Sequence, residues 1–209
     1  MAAGTAIGTI AKSNSQVDYV CRVYGAGEVA SPPRPEDYAF GTFVRAGLAG
    51  GEGYLVGLVC DTVLVNPEFG RLGPVLRPAE GPLLSPLAEM ENFSPDYLDE
   101  RAVLVNVVAV GQVTAGGETR QGIPLPAVAL GAVVEKMPDE EVRGFHTSPG
   151  GGGLLLAYAP RLLASGEPLM PHLLLRVVDH LAGMFPAESR QLAVLRGNLA
   201  WKSAVAPSG

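Results

Sequence analysis

The sequence predicts a mostly-β fold, a small closed β-barrel of six or seven strands with a C-terminal α-helical extension. Residues 102–113 are apolar and rich in valine apart from Asn106 and Gln112, which is typical of a strand buried on both faces at the centre of a barrel. The 27 glycines and 18 prolines of the chain provide many turns, which suit short strands. After Gly153 the apolar period changes from 2 to 3.6 residues, which predicts C-terminal helices.

Shorter strands that pair around this central strand are predicted from local alternation. In residues 18–24 the side chains of Tyr19, Cys21 and Val23 share one side, which is typical of a half-buried strand. Further strands are predicted at residues 7–10, at 40–46, at 54–65 with a kink near residue 60, and at 128–137 along an edge of the sheet.

Helices are predicted in the C-terminal region. Residues 138–144 place three acids at the start of a helical turn, where the helix dipole favours them. Residues 170–185 carry apolar side chains at the spacing of an amphipathic helix, and Pro186 ends that helix and opens the next one. Residues 154–163 predict a further helix, which Pro160 limits.

These predicted elements divide the chain into three parts. Residues 1–147 form the barrel domain, in which residues 66–95 are a long, proline-containing insertion. Residues 148–153 include four consecutive glycines and predict a flexible joint. Residues 154–209 form the helical extension.

The charge and the cysteines narrow the classes of function. The net charge is −6, and residues 1–100 carry 13 acids against 6 bases, which argues against broad nucleic-acid binding because phosphate contacts need Lys and Arg. Cys21 and Cys60 each lie in an apolar strand candidate and are predicted to be buried thiols. With no secretory signal and no apolar run of ~18 residues, the sequence predicts a cytoplasmic protein without a membrane span.

The sequence contains no motif that points to catalysis, to a cofactor or to a metal. A Walker A loop, a dinucleotide fingerprint and a Gly-x-Ser-x-Gly elbow are all absent. His172 and His180 lie two helical turns apart, too far for one metal ion, and are predicted to be solvated; His146 is predicted to be a loop residue. The sequence therefore predicts a non-enzymatic protein with no cofactor and no metal site.

Residues 5–140 resemble the HAS-barrel, the N-terminal domain of HerA-type DNA-translocating ATPases and of rotary ATP synthase α and β subunits. The resemblance rests on glycines, prolines and apolar alternation in a characteristic order. The matching motifs are Gly-x-x-Val-Arg at residues 41–45, Val-Gly-Leu-Val at 56–59, the long apolar strand at 103–110, Pro-x-Pro at 124–126 and Gly-x-Val at 131–133.

The resemblance implies a small closed barrel that packs against copies of itself in a ring and contacts a partner nuclease. In HerA-type proteins a RecA-like motor follows the barrel, whereas here the glycine-rich joint and the helical extension follow it. The family barrel carries no catalytic residue. The function that we predict is therefore a non-enzymatic assembly module, in DNA processing, that self-associates or docks onto an ATPase or nuclease partner.

Two alternatives remain open at this point. The first is a nucleic-acid-binding barrel, since small barrels bind single strands through aromatic and basic side chains. Tyr19, Arg22, Tyr24 and Arg45 are the only such cluster. The second alternative is an enzyme whose site the sequence does not reveal.

The apolar stripe of the helix at 170–185 predicts a homo-oligomer. A stripe of eight large apolar side chains cannot stay exposed to water, so either the chain's own barrel or a second copy must cover it. A flexible glycine joint permits exchange of the extension between copies. We therefore predict an oligomer contact that includes Leu174, Val178 and Leu181.

Overall fold

The computed structural model describes residues 4–65 and 102–205, with side chains to residue 202, so the predicted insertion at 66–95 lies outside the described residues. Seven strands form one antiparallel sheet. The strands are β1 (Ala6–Ser13), β2 (Asp18–Val23), β3 (Phe43–Gly47), β4 (Gly53–Val65), β5 (Ala102–Thr114), β6 (Thr119–Gln121) and β7 (Val133–Lys136).

Six of these strands close into a barrel. The sheet order is β2-β1-β7-β3-β4-β5-β6, and an additional pairing between β2 and β5 closes the ring while β6 stays outside on β5. β5 holds three partners because β2 pairs with its first half, β6 pairs with its last residues, and β4 runs along its whole length. The predicted barrel with a helical extension is confirmed, and so is the central place of the apolar strand.

The β4–β5 pair bends where its register shifts. One shift falls between Val56 and Gly57 of β4, and the other between Val59 and Asp61, where Cys60 is the extra residue. An extra residue in one strand bends it and increases its twist. The kink predicted near residue 60 is thus confirmed as a β-bulge.

The last strand differs from its prediction as an edge. Regular pairing in β7 covers only Val133–Lys136, with Val128 joined by an isolated bridge to Leu48. β7 pairs with β1 on one side and with β3 on the other. Barrel closure, which the local pattern does not encode, turns the predicted edge into an interior strand.

Four α-helices follow the barrel. They are α1 (Asp139–His146), α2 (Ala159–Ala164), α3 (Met170–Met184) and α4 (Ser189–Val205), and a 3₁₀ turn at Pro186–Glu188 leads into α4. The predicted helix at 154–163 begins only at Ala159, because Pro160 is tolerated in the first turn of a helix and not in its interior.

The glycine-rich segment is a hydrogen-bonded turn, whereas four consecutive glycines predict a flexible joint. The Ser148 N–H donates to the Gly153 carbonyl at 2.9 Å, and Thr147 forms a β-bridge with Leu154. Gly150, Gly151 and Gly153 have φ values of 95°, 76° and 92°, which favour glycine. The glycines therefore serve the tight turn that carries the chain from α1 back toward α2.

The fold has two apolar cores. One fills the barrel interior and includes Tyr19, Cys21 and Val23, the three side chains that share one side of β2. The other lies between the outer face of β3–β5 and the helices and contains Cys60. Both cysteines are free and buried, as predicted, and burial raises the pKa of each thiol to about 12.

The apolar stripe of α3 is covered by its own chain. Leu174, Val178 and Leu181 are buried in the core that the helices share with barrel residues such as Phe43 and Leu58. Of the two covers that the sequence leaves open, the structure shows the intramolecular one. The homo-oligomer stays a prediction, and a contact through these three side chains would require the extension to leave its own barrel.

Candidate interaction surface

A buried polar pair links α1 to the start of α2. His146 Nδ1 lies 2.7 Å from the Val142 carbonyl and must donate to it, so Nε2 accepts a hydrogen bond from the Tyr158 hydroxyl at 2.9 Å. Burial lowers the pKa of His146 to about 4 and raises that of Tyr158. His146 is thus the buried last residue of α1 and not the predicted loop residue. With both side chains fully buried, the pair joins two helices and has no access to a substrate.

The cluster predicted for nucleic acid does not assemble on one surface. Tyr19 points into the barrel and is fully buried, because strand alternation directs it inward. Arg22 pairs with Glu28 at 2.6 Å. Arg45 lies against Glu135 and Glu141 at 2.8 and 2.6 Å, with its guanidinium 5.7 Å from the centre of the Tyr54 ring. These cations are neutralised within the chain, so they form no binding platform.

His172 and His180 are exposed, as predicted. His180 Nε2 lies 3.1 Å from Asp139 Oδ1, at the start of α1. Within residues 4–65 and 102–205, no three His, Cys, Asp or Glu side chains converge as metal ligands. No helix in the described part of the chain is long and apolar enough to cross a membrane.

Two of the clefts on the helical side are lined by both barrel and helix residues. The larger of these two, about 650 Å³, lies between the turn before β3 and α3, and ion pairs within the chain neutralise part of its charge, as in Lys136–Asp37 and Arg196–Asp179. The smaller one, about 320 Å³, lies between the outer face of β2, β4 and β5 and the α2–α3 turn. We call the smaller one the basal cleft. Its lining comprises Val17, Asp18, Cys60, Asp61, Asn106, Val108, Arg161, Leu162, Ser165, Glu167, Leu169 and Met170.

Three carboxylates of the basal cleft have no cationic partner among residues 4–65 and 102–202. Asp18 Oδ2 accepts a hydrogen bond from Asn14 Nδ2 at 3.0 Å, and Asp61 Oδ1 accepts one from the Thr62 N–H at 2.8 Å. None of the ion pairs in the described residues includes Asp18, Asp61 or Glu167. The rim of the cleft therefore carries uncompensated negative charge.

Arg161 is the single cation of the basal cleft, and it is turned toward the barrel. One terminal nitrogen of its guanidinium donates to the Ala109 carbonyl, while its Nε is closed off from solvent without a hydrogen-bond partner. Burial lowers the pKa of this guanidinium, and no carboxylate raises it. Arg161 thus fastens α2 to β5 without neutralising the rim.

Above the basal cleft, β4 extends past β3 while it stays paired with the first half of β5, and we call residues 61–65 and 102–106 the ribbon. On the β5 side, β2 pairs with Asn106, Val105 and Leu104, so the ribbon is two-stranded only beyond Leu104. On the β4 side, β3 and the turn before it accompany β4 only as far as Val59, and beyond that point no strand among the described residues pairs with the outer edge of β4. Val63, Leu64 and Val65 are 42, 77 and 38% exposed, so the ribbon presents apolar side chains beside a backbone edge that no described strand occupies.

Comparison with known proteins identifies a family for this chain, although no curated protein matches it. A family model described as a domain of unknown function, DUF8166, matches residues 1–208, which include the barrel, the ribbon and helices α1 to α4. The chain belongs to the DUF8166 family.

Proposed function

We propose that this protein is a non-enzymatic assembly module whose HAS-like barrel carries a docking surface for a protein partner. The observation that carries the proposal is the ribbon, in which β4 extends past β3 with exposed valine and leucine side chains, along an outer edge that no strand of the described residues occupies. The resemblance to the HAS-barrel makes an ATPase or a nuclease of DNA processing the class of partner that we propose.

The barrel interior supports a scaffolding role. Ile7, Tyr19, Leu55, Val59 and Val105 are almost fully buried inside it and pack against one another. A barrel of this size is filled by its own side chains, which leaves no room for a ligand. The binding capacity of the barrel domain is therefore on its outside.

The ribbon has the physical properties of a docking element. Apolar side chains grouped on a protein surface usually mark an interaction site. An unpaired strand edge is a template for an added strand, and proteins that keep such an edge free usually blunt it with charge. Asp61 is the only charged side chain of β4, and it lies at the base of the ribbon, so residues 62–65 carry no charge.

The proposal is tested by site-specific photo-crosslinking in the cells that make the protein. A photoreactive amino acid at Leu64 is compared with one at Leu125, a matched control because both leucines are 77% exposed and Leu125 lies outside the ribbon. We expect a covalent adduct with an ATPase or nuclease from position 64 and none from position 125, identified by mass spectrometry. Equal adducts from both positions, or adducts at 64 confined to the same chain, would contradict the proposal.

A further inference from the structure

We infer that the outer face of the ribbon and the basal cleft together bind a basic, apolar segment of the partner protein. In this arrangement a Lys or Arg side chain of the segment enters the basal cleft, and its apolar side chains lie along the ribbon. The inference rests on the proposed function and specifies the chemistry of the partner.

The cleft and the outer face of the ribbon form one continuous surface. Asp61 of β4 and Asn106 of β5 are cross-strand partners and both line the basal cleft. Side chains two residues along a strand point to the same face, so Val63 and its partner Leu104 continue the surface outward. A segment that leaves the cleft along the ribbon therefore passes from carboxylates to apolar side chains, beside Arg22 of β2, which lies opposite Leu104 and is paired with Glu28.

The charge of this surface selects a cation. The basal cleft has three carboxylates, from Asp18, Asp61 and Glu167, against the one guanidinium of Arg161, which is held to the barrel backbone. Carboxylates close to an apolar surface favour a cationic partner and repel a phosphate or an acidic peptide. Leu169 is 43% exposed at the rim and provides apolar contact for the methylene groups of a Lys or Arg side chain.

The surface also fits a segment better than a small cation. The carboxylates do not converge as a metal site, since no group of three metal-ligating side chains is present in the described residues. The exposed apolar side chains of the ribbon have no role in binding a small amine. Only a ligand that has both a positive charge and apolar side chains contacts both the basal cleft and the outer face of the ribbon.

Fluorescence anisotropy with labelled nine-residue peptides and the full-length protein tests this inference. The probes are a peptide of alternating Lys and Val, the same peptide with Glu for Lys, the same with Ser for Val, and spermine as an unlabelled competitor. At physiological salt we expect the Lys/Val peptide to bind at least tenfold more tightly than either peptide variant, and spermine to compete weakly. Equal binding of the Glu/Val peptide, tight competition by spermine, or no binding at all would overturn the inference.

A matched pair of triple variants separates this site from the overall charge of the protein. Asp18→Asn with Asp61→Asn and Glu167→Gln removes the carboxylates of the basal cleft. Glu36→Gln with Glu52→Gln and Glu140→Gln removes the same charge from exposed positions outside the cleft. We expect the first variant to weaken binding of the Lys/Val peptide at least tenfold and the second less than twofold, with both folded by circular dichroism.

The outcomes distinguish this inference from the proposed function. Equal loss in both triple variants would show that bulk charge binds the peptide, and the inference would fail. If a photoreactive amino acid at Val63, which shares the outer face with Asp61, forms an adduct with a partner and the cleft variant leaves that adduct unchanged, the assembly function stands and the basic segment is wrong. If the peptide binds at the cleft but neither Val63 nor Leu64 forms an adduct with a partner, the assembly function fails instead.

Discussion

The two halves of the β4–β5 pair have similar composition and opposite surroundings. Within the barrel, Leu58 and Val59 of β4 are fully buried between the interior core and the helices. Five residues further on, Val63, Leu64 and Val65 belong to the same strand and the same ladder and are exposed. The difference lies in the neighbouring elements, because β3 and the turn before it pair with β4 only as far as Val59, while the β4–β5 pair continues. The burial of an apolar strand therefore depends on the elements that pack against it, and a strand that extends beyond those elements is exposed to solvent.

The largest effect is expected where the helical layer meets the barrel. Val178→Glu combined with Leu181→Glu places two carboxylates in a core without a cationic partner, and we expect a loss on the order of 5 kcal/mol or more, enough to unfold the chain. Circular dichroism and light scattering measure folding and mass. A folded protein with a smaller mass would instead establish the oligomer contact predicted at Leu174, Val178 and Leu181.

A matched pair of leucines tests the comparison within one strand. Leu58→Ala removes a fully buried side chain, and we expect the free energy of unfolding to fall by ~2–5 kcal/mol. Leu64→Ala removes a side chain that is mostly in water, and we expect a change within ~0.5 kcal/mol. Urea unfolding of both variants measures the two values. A similar cost at both positions would show that the ribbon is covered in solution.

His146 is buried, whereas His172 is exposed. The burial of His146 makes the stability of the protein depend on pH. Burial depresses the pKa of His146 from 6.5 to about 4, so the folded state takes up this proton less readily than the unfolded state. Its contribution is fully present above pH 6.5 and is lost as the pH falls toward 4, by up to ~3 kcal/mol.

Urea unfolding at several pH values between 7 and 4 measures the slope in the wild type and two variants. His146→Gln should flatten the slope attributable to this residue. His172→Gln is the control, since His172 is exposed and is not among the groups that act on His146, and it should change the slope less than His146→Gln does. An unchanged slope in His146→Gln would show that His146 is accessible to water.

Elements that depend on local pattern were predictable from the sequence. The strand at 102–113 and the helix at 170–185 are visible because the apolar period and the flanking prolines belong to the segment itself. The bend at Cys60 was predicted as a kink, at the point where Asp61 follows an apolar run. The burial of Cys21 and Cys60 followed from their places in apolar strands.

Features that depend on distant partners were not predictable in this way. β7 was predicted to be an edge strand because the pairing of β2 with β5, which closes the barrel, leaves no signal in the local sequence. His146 reads as a loop residue because Tyr158, its partner, lies beyond the glycine turn. The basal cleft draws its carboxylates from β2, β4 and the α2–α3 turn, which only the topology brings together. The resemblance to the HAS-barrel pointed to a docking role without indicating where on the barrel it resides.

The smallest expected effect is an absence of binding to single-stranded DNA. The chain carries 21 acids against 15 bases, and Arg22 and Arg45 of the candidate cluster are already paired with carboxylates. Release of counterions from phosphates drives such binding and needs free cationic side chains. We therefore expect no change in the fluorescence anisotropy of a labelled oligonucleotide at physiological salt, under conditions where the Lys/Val peptide binds. A micromolar complex that weakens as salt rises would instead favour the nucleic-acid-binding barrel over the assembly module.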